Sequence, residues 1–123
     1  MENKLKSYDR LVRDRARCVM RLKELASKSI IRGSIRIQGN RCGTKGCRCK
    51  REHNPVLHGP YPYLSYRGKK GNHSILLTRK KDLYAEGAIA NYKNLTNTLI
   101  ELSDIDFQIL RYYSNRLTGK RTI

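Results

Sequence analysis

The feature that most constrains how this 123-residue chain can fold is Arg41-Cys42-Gly43-Thr44-Lys45-Gly46-Cys47-Arg48-Cys49, a C-x4-C-x-C array followed by His53 and His58. Three thiols in eight residues, with glycines between them, can turn back so that their sulfurs converge while backbone N–H groups point at them. A tetrahedral Zn²⁺ suits such a set, and a closed structural site needs a fourth ligand. His58 precedes Gly59-Pro60, a turn leading into a β-prone run, so it would tie the loop to a sheet. It is preferred to His53, which would close a smaller ring; His73 and Cys18 are more remote candidates. The expected ligands are therefore Cys42, Cys47, Cys49 and His58, with His53 as the alternative fourth, around a structural zinc ion. Two other readings stay open. The thiols could be reduced and metal-free, or Cys47 and Cys49 could form a redox pair activated by Lys45, Arg48 and Lys50.

The same segment carries most of the charge. The chain has 27 Lys or Arg against 10 Asp or Glu, net +17. Residues 1–30 contribute +5, residues 31–81 contribute +12 and residues 82–123 contribute zero. A solvated face normally mixes both signs, so a segment whose only acid is Glu52 points to a polyanionic partner, nucleic acid first. No run approaches the roughly 20 apolar residues of a membrane span, and Met1–Arg10 has no apolar leader core. A soluble cytoplasmic protein is expected, nucleoid-associated if it binds DNA, and in that reducing compartment the four cysteines read as thiols or ligands rather than disulfides.

Length argues for one domain over residues 1–118, in three parts, with 119–123 as a tail. Its core should be thin, because a chain this short buries only about two-thirds of its unfolded surface. Over residues 7–29 the apolar positions Tyr8, Val12, Val19, Leu22 and Ala26 recur with helical spacing, and Cys18 beside them reads as a small buried thiol. Residues 30–79 form the basic β module. Ile35 and Ile37 alternate with Arg36 and Gln38 in a short strand, and residues 61–67 and 73–78 form a hairpin joined by five residues, Gly68–Asn72. Helical spacing returns over residues 80–117, with a heptad broken by Asp106. Ser103-Asp104-Ile105-Asp106 could also cap a second helix, so one long helix and a helix pair both remain open, as do packing on the first helix and a homodimer seam through 83–117. The expected fold is α+β: an N-terminal helix, a zinc-pinned antiparallel sheet of about three strands, and a long C-terminal helix or helix pair.

Period-two alternation puts Tyr61, Tyr63, Ser65 and Arg67 on one face of the hairpin and Leu64 and Tyr66 on the other, where Ile75 with Leu77 or Leu76 would pack on the helices. An outward row of tyrosine and arginine could enter a groove or stack on bases. Arg32, Arg36, Arg41, Lys45, Arg48, Lys50, Arg51, Arg67, Lys69, Lys70, Arg79, Lys80 and Lys81 would supply phosphate contacts around Tyr61 and Tyr63.

Ile31-x-Gly33-Ser34, Cys42-Gly43-x3-Cys47-x-Cys49 and His58-Gly59-Pro60-Tyr61-x-Tyr63-Leu64-Ser65-Tyr66-Arg67, followed by Gly68-Lys69 and a helix, resemble a family of small basic bacterial and archaeal proteins. The resemblance spans roughly residues 29–103 and implies that Cys42, Cys47, Cys49 and His58 act as one unit; it implies no activity. At the level of fold alone, a small sheet backed by a helix is similar to the three-stranded DNA-binding modules of some integrases.

The expected function is non-catalytic binding of nucleic acid, DNA before RNA, in a regulatory or mobile-element accessory role. The alternatives are a metal-dependent nuclease or recombinase-like enzyme, for which only Glu52, His53-Asn54 and Asn72-His73 are at hand in the basic segment, and a thiol redox sensor.

Overall fold

In a computed structural model, the backbone is described for residues 2–118 and the side chains for 7–113, so the expected tail 119–123 lies outside the described residues. The order is α1 (Glu2–Ala26), β1 (Gly33–Asn40), a 3-10 turn (Arg48–Lys50), β2 (His58–Gly68), β3 (Gly71–Leu76) and α2 (Arg79–Thr118). No described helix is long and apolar enough to cross a membrane. The chain forms two compact units, one joining α1 to α2 from Asn91 onward, the other running from Ser29 to Ala90.

In the first unit the two helices run antiparallel. Tyr8 meets Tyr113, Arg15 meets Asp106, Cys18 meets Thr98 and Arg21 meets Glu101. Asp106 and Tyr113 of the heptad stripe thus face α1 while Leu99 stays half exposed, and α2 is a single helix with no break at Ser103–Asp106. Asp106 interrupts the apolar pattern because it takes a partner across the pair: Arg15 Nε lies 2.7 Å from its Oδ1 and Nη2 lies 3.3 Å from Oδ2. Both side chains are nearly half exposed and well screened by water, so the pair serves register more than stability. Cys18 is buried and donates its S–H to the Thr98 carbonyl, 3.3 Å away. α1 ends at Ala26 rather than the expected Ser29, as the Ser27 hydroxyl turns back onto the Glu24 carbonyl at 2.6 Å.

In the second unit β2 is the central strand of an antiparallel sheet ordered β1-β2-β3. Ile35, Leu64 and Ile75 are register partners and share one face; Arg36, Tyr63 and Leu76 share the other. The core lies on the first face, where Leu64, Leu77 and Ala85 are buried and Ile31, Ile35 and Ile89 pack around them. Ala85 and Ala88 present no bulk to the sheet side, and the Ala88 carbonyl accepts the Ile31 N–H at 3.1 Å. Of the residues expected under the helices, Leu77 is buried, while Tyr66 and Ile75 stay 40% and 50% exposed.

The hairpin is tighter than its sequence suggests. Gly68 pairs with Gly71 and Arg67 with Asn72, leaving a two-residue turn, Lys69-Lys70, instead of a five-residue connection. Gly71, which opens β3 directly after the turn, has a φ of +128° that a residue with a side chain rarely adopts. At the other end β2 begins at His58 rather than Tyr61. Gln38 faces Tyr61 and Asn40 faces His58, so Gly39 alone stands opposite Gly59 and Pro60 in a bulge.

Candidate metal centre

The loop between Asn40 and His58 leaves and rejoins the sheet at one register position, and the cysteines turn back inside it. Cys47 N–H bonds the Thr44 carbonyl at 3.4 Å, and Lys50 N–H bonds the Cys47 carbonyl at 3.0 Å, winding the chain into the 3-10 turn that carries Cys49. Cys49 is fully buried, Cys42 and Cys47 are partly so, and His58 is exposed. The bulge at Gly59-Pro60 re-aims the start of β2, and His58 Nε2 comes within 3.2 Å of Cys47 Sγ.

The four candidate ligand atoms, three Sγ and one imidazole nitrogen, lie within 4.8 Å of one another. Cys42 Sγ and Cys49 Sγ are 3.7 Å apart. Two thiolates bound tetrahedrally at the Zn–S length of about 2.3 Å stand about 3.8 Å apart, so the spacing fits one ion of that kind. Each sulfur also faces a backbone N–H: Thr44 gives its own to Cys42, Cys49 to Cys47, and Cys42 to Cys49 at 3.2 Å. Donors of this kind orient and charge-stabilise ligating thiolates, and they are part of a metal site as much as the ligands are.

The electrostatics follow from these contacts. The Thr44 N–H, then Cys47 and His58, lower the Cys42 thiol to about 6. Cys47 is lowered chiefly by the Cys49 N–H. The Cys42 N–H pulls Cys49 down, but burial and the neighbouring sulfurs outweigh it and the net shift is upward. His58 is raised by its hydrogen bonds to Cys42 and Cys47. The charged forms of Cys42, Cys47 and His58 thus stabilise one another, a role that a bound cation would take over.

His53, the alternative ligand, lies in the exposed loop and is not in the cluster. Cys18 belongs to the helical unit, and the ring of His73 lies beside Tyr66. The spacing of the cysteines pointed to the cluster; the N–H donors and the bulge that aims His58 have no residue signature.

The cations expected to meet phosphate fall into four groups. Arg36 and Arg67 lie with Tyr61 and Tyr63 on the outer sheet face. Arg41, Lys45, Arg48, Lys50 and Arg51 surround the metal loop, Lys69 and Lys70 form the hairpin turn, and Arg79, Lys80 and Lys81 open α2. Arg32 is committed locally: its Nε and Nη2 donate to the Arg67 carbonyl at 3.2 and 2.8 Å. Tyr63 is likewise engaged, its hydroxyl hydrogen-bonded by the Asn40 amide.

Fold and site together define a small α+β protein whose β-sheet loop brings a Cys3His cluster close enough to hold a metal ion. The chain belongs to the family described as a domain of unknown function, DUF6788, whose profile matches residues 8–85, a span that holds all four candidate ligands. No curated protein and no solved structure matches it.

Proposed function

We propose that the protein binds nucleic acid, DNA in preference to RNA, through the unit Ser29–Ala90, as a non-catalytic module whose loop is held by a structural zinc ion. Its place would be the cytoplasm, at the nucleoid, in a regulatory or mobile-element accessory role. One observation carries the reading: all thirteen Lys and Arg of residues 31–81 are exposed, and among the described residues none forms an ion pair with a carboxylate. Among the described residues the ion pairs are Arg15–Asp106 and Arg21–Glu101, both in the helical unit. Arg79, Lys80 and Lys81 support it further, since cations in the first turn of a helix oppose its dipole and work against stability there. Zinc is the metal of choice because a tetrahedral set of three thiolates and one imidazole matches its preferences. The bound ion would leave the site near −1, a small change in the basic field.

Binding by six to ten phosphate contacts should weaken about 10³- to 10⁵-fold between 50 and 200 mM salt. Fluorescence anisotropy with a labelled duplex reads this directly, and an isotherm indifferent to salt would sink the proposal. Elemental analysis should find one zinc per chain; a fully folded protein purified without metal would exclude the structural role.

A further inference from the structure

We propose that the helix-side face of the sheet carries a pocket for one unpaired nucleobase, with Tyr66 and His73 as its stacking floor; this rests on the nucleic-acid reading above. The two side chains are register partners on β2 and β3. Their rings stack, 6.3 Å apart and within 25° of parallel, an aromatic pair that a further planar ring can extend. The Tyr66 ring lies against Gly68, where a β-carbon would come within 2.9 Å of its Cε2, and its neighbour on β1 is Gly33, which has no side chain. Tyr66 is thereby seated against bare backbone and remains 40% exposed.

A cavity of about 360 Å³ opens beside the rings, completed by Ile30, Ile31, Leu64 and Ile75. That volume is at the small end of ligand pockets and suits a planar heterocycle rather than a long chain. Charge selects the occupant. Directly beyond Gly68 the turn presents Lys69 and Lys70, both exposed, so an apolar aromatic slot lies next to cations that can hold a phosphate. A nucleotide has both parts, a stacking ring and an anionic link, whereas an apolar side chain of a protein partner would leave the lysines unused. Sheet aromatics that stack unpaired bases are a recurrent mode of single-strand recognition. Each such contact is worth roughly 5- to 150-fold in affinity.

The test uses the full, metal-loaded chain and two labelled duplexes of equal length, one fully paired and one with a single bulged adenine, plus a bulged duplex with 2-aminopurine at that position. The bulged duplex should bind about tenfold more tightly, and 2-aminopurine fluorescence should be quenched on binding. Tyr66→Leu and, separately, His73→Ala should remove that preference without weakening the paired duplex, while Tyr66→Phe should retain it. His73 is exposed, so its variant tests the pocket even if Tyr66→Leu folds poorly. Equal binding of both duplexes with no quenching, or a preference that survives His73→Ala, overturns the pocket and leaves the nucleic-acid reading standing. Failure to bind either duplex overturns both.

Discussion

Replacing Gly59 by alanine tests how the sheet delivers His58 to the cysteines. Gly59 has φ +97°, a conformation that costs an L-residue about 1–3 kcal/mol. An added β-carbon would also stand 2.7 Å from the Tyr61 backbone nitrogen and 2.9 Å from its Cδ2. Restoring contact to about 3.5 Å means moving the strand by about 0.8 Å, against a tolerance of about 0.2 Å in metal–ligand distance. The residue displaced is the neighbour of His58, whose Nε2 is 3.2 Å from Cys47 Sγ. Gly59→Ala should therefore weaken metal binding about 10- to 100-fold, the usual effect of disturbing a ligand's support. Two other glycines in the same loop separate strain from collision. Gly46 has φ +76° with nothing within 4 Å of a β-carbon, so Gly46→Ala should show strain alone, about 1 kcal/mol and a smaller loss of affinity. Gly43 has neither a positive φ nor a neighbour, and Gly43→Ala should behave as the parent. Competition with a chromophoric zinc chelator, with thermal melts in parallel, gives the order Gly43→Ala, Gly46→Ala, Gly59→Ala. A Gly59→Ala protein that holds metal as tightly as Gly43→Ala would refute the argument that the bulge aims the ligand.

Titration and core packing give two more tests. In metal-free protein Cys42, lowered to about 6 by the Thr44 N–H, Cys47 and His58, should be alkylated by iodoacetamide with a midpoint near that pH, well before Cys49. Because its folded value lies below the ordinary 9.0, its contribution to the metal-free fold is complete above 9 and is lost as pH falls through about 6, which melts across that window should register; a midpoint near 9 would show the N–H contacts to be ineffective. Leu64 is 6% exposed on the central strand, and Leu64→Ala should cost about 2–5 kcal/mol by urea unfolding; a loss below about 1 kcal/mol would move the core of this unit elsewhere.

How far the chain could be read from its residues differs from element to element. Helical spacing at Tyr8, Val12 and Val19, and period-two alternation at Tyr61, Tyr63, Ser65 and Arg67, are local signals, and the elements formed where those signals lie. The clustering of Cys42, Cys47 and Cys49 was legible for the same reason, these residues being close in sequence. What stayed hidden depends on partners distant in the chain. Asp106 read as a flaw in a heptad because nothing near it names Arg15 as its partner. The two-residue turn was obscured because Gly68 and Gly71 both look like loop, whereas only Gly71 adopts positive φ. Gly59-Pro60 read as a turn but works as a bulge, since strand pairing on either side is fixed by β1. Tyr66 matched a core pattern, yet the helix covers Leu64 and Leu77 and leaves the end of the face uncovered.

The pairing of Asn40 with His58 has a consequence for variation within such proteins. Because the intervening loop departs and returns at one point, the sheet does not register how long it is. The first half is fixed by the cysteines and by the Val56 N–H on the Arg48 carbonyl at 3.0 Å, whereas Glu52–Pro55 is wholly exposed. Doubling a flexible loop costs only about 0.6 kcal/mol. Glu52–Pro55 is thus a permissive cassette beside an inflexible anchor, a place where sequence can be added, tagged or exchanged while the four ligands and the strands they fasten stay where they are.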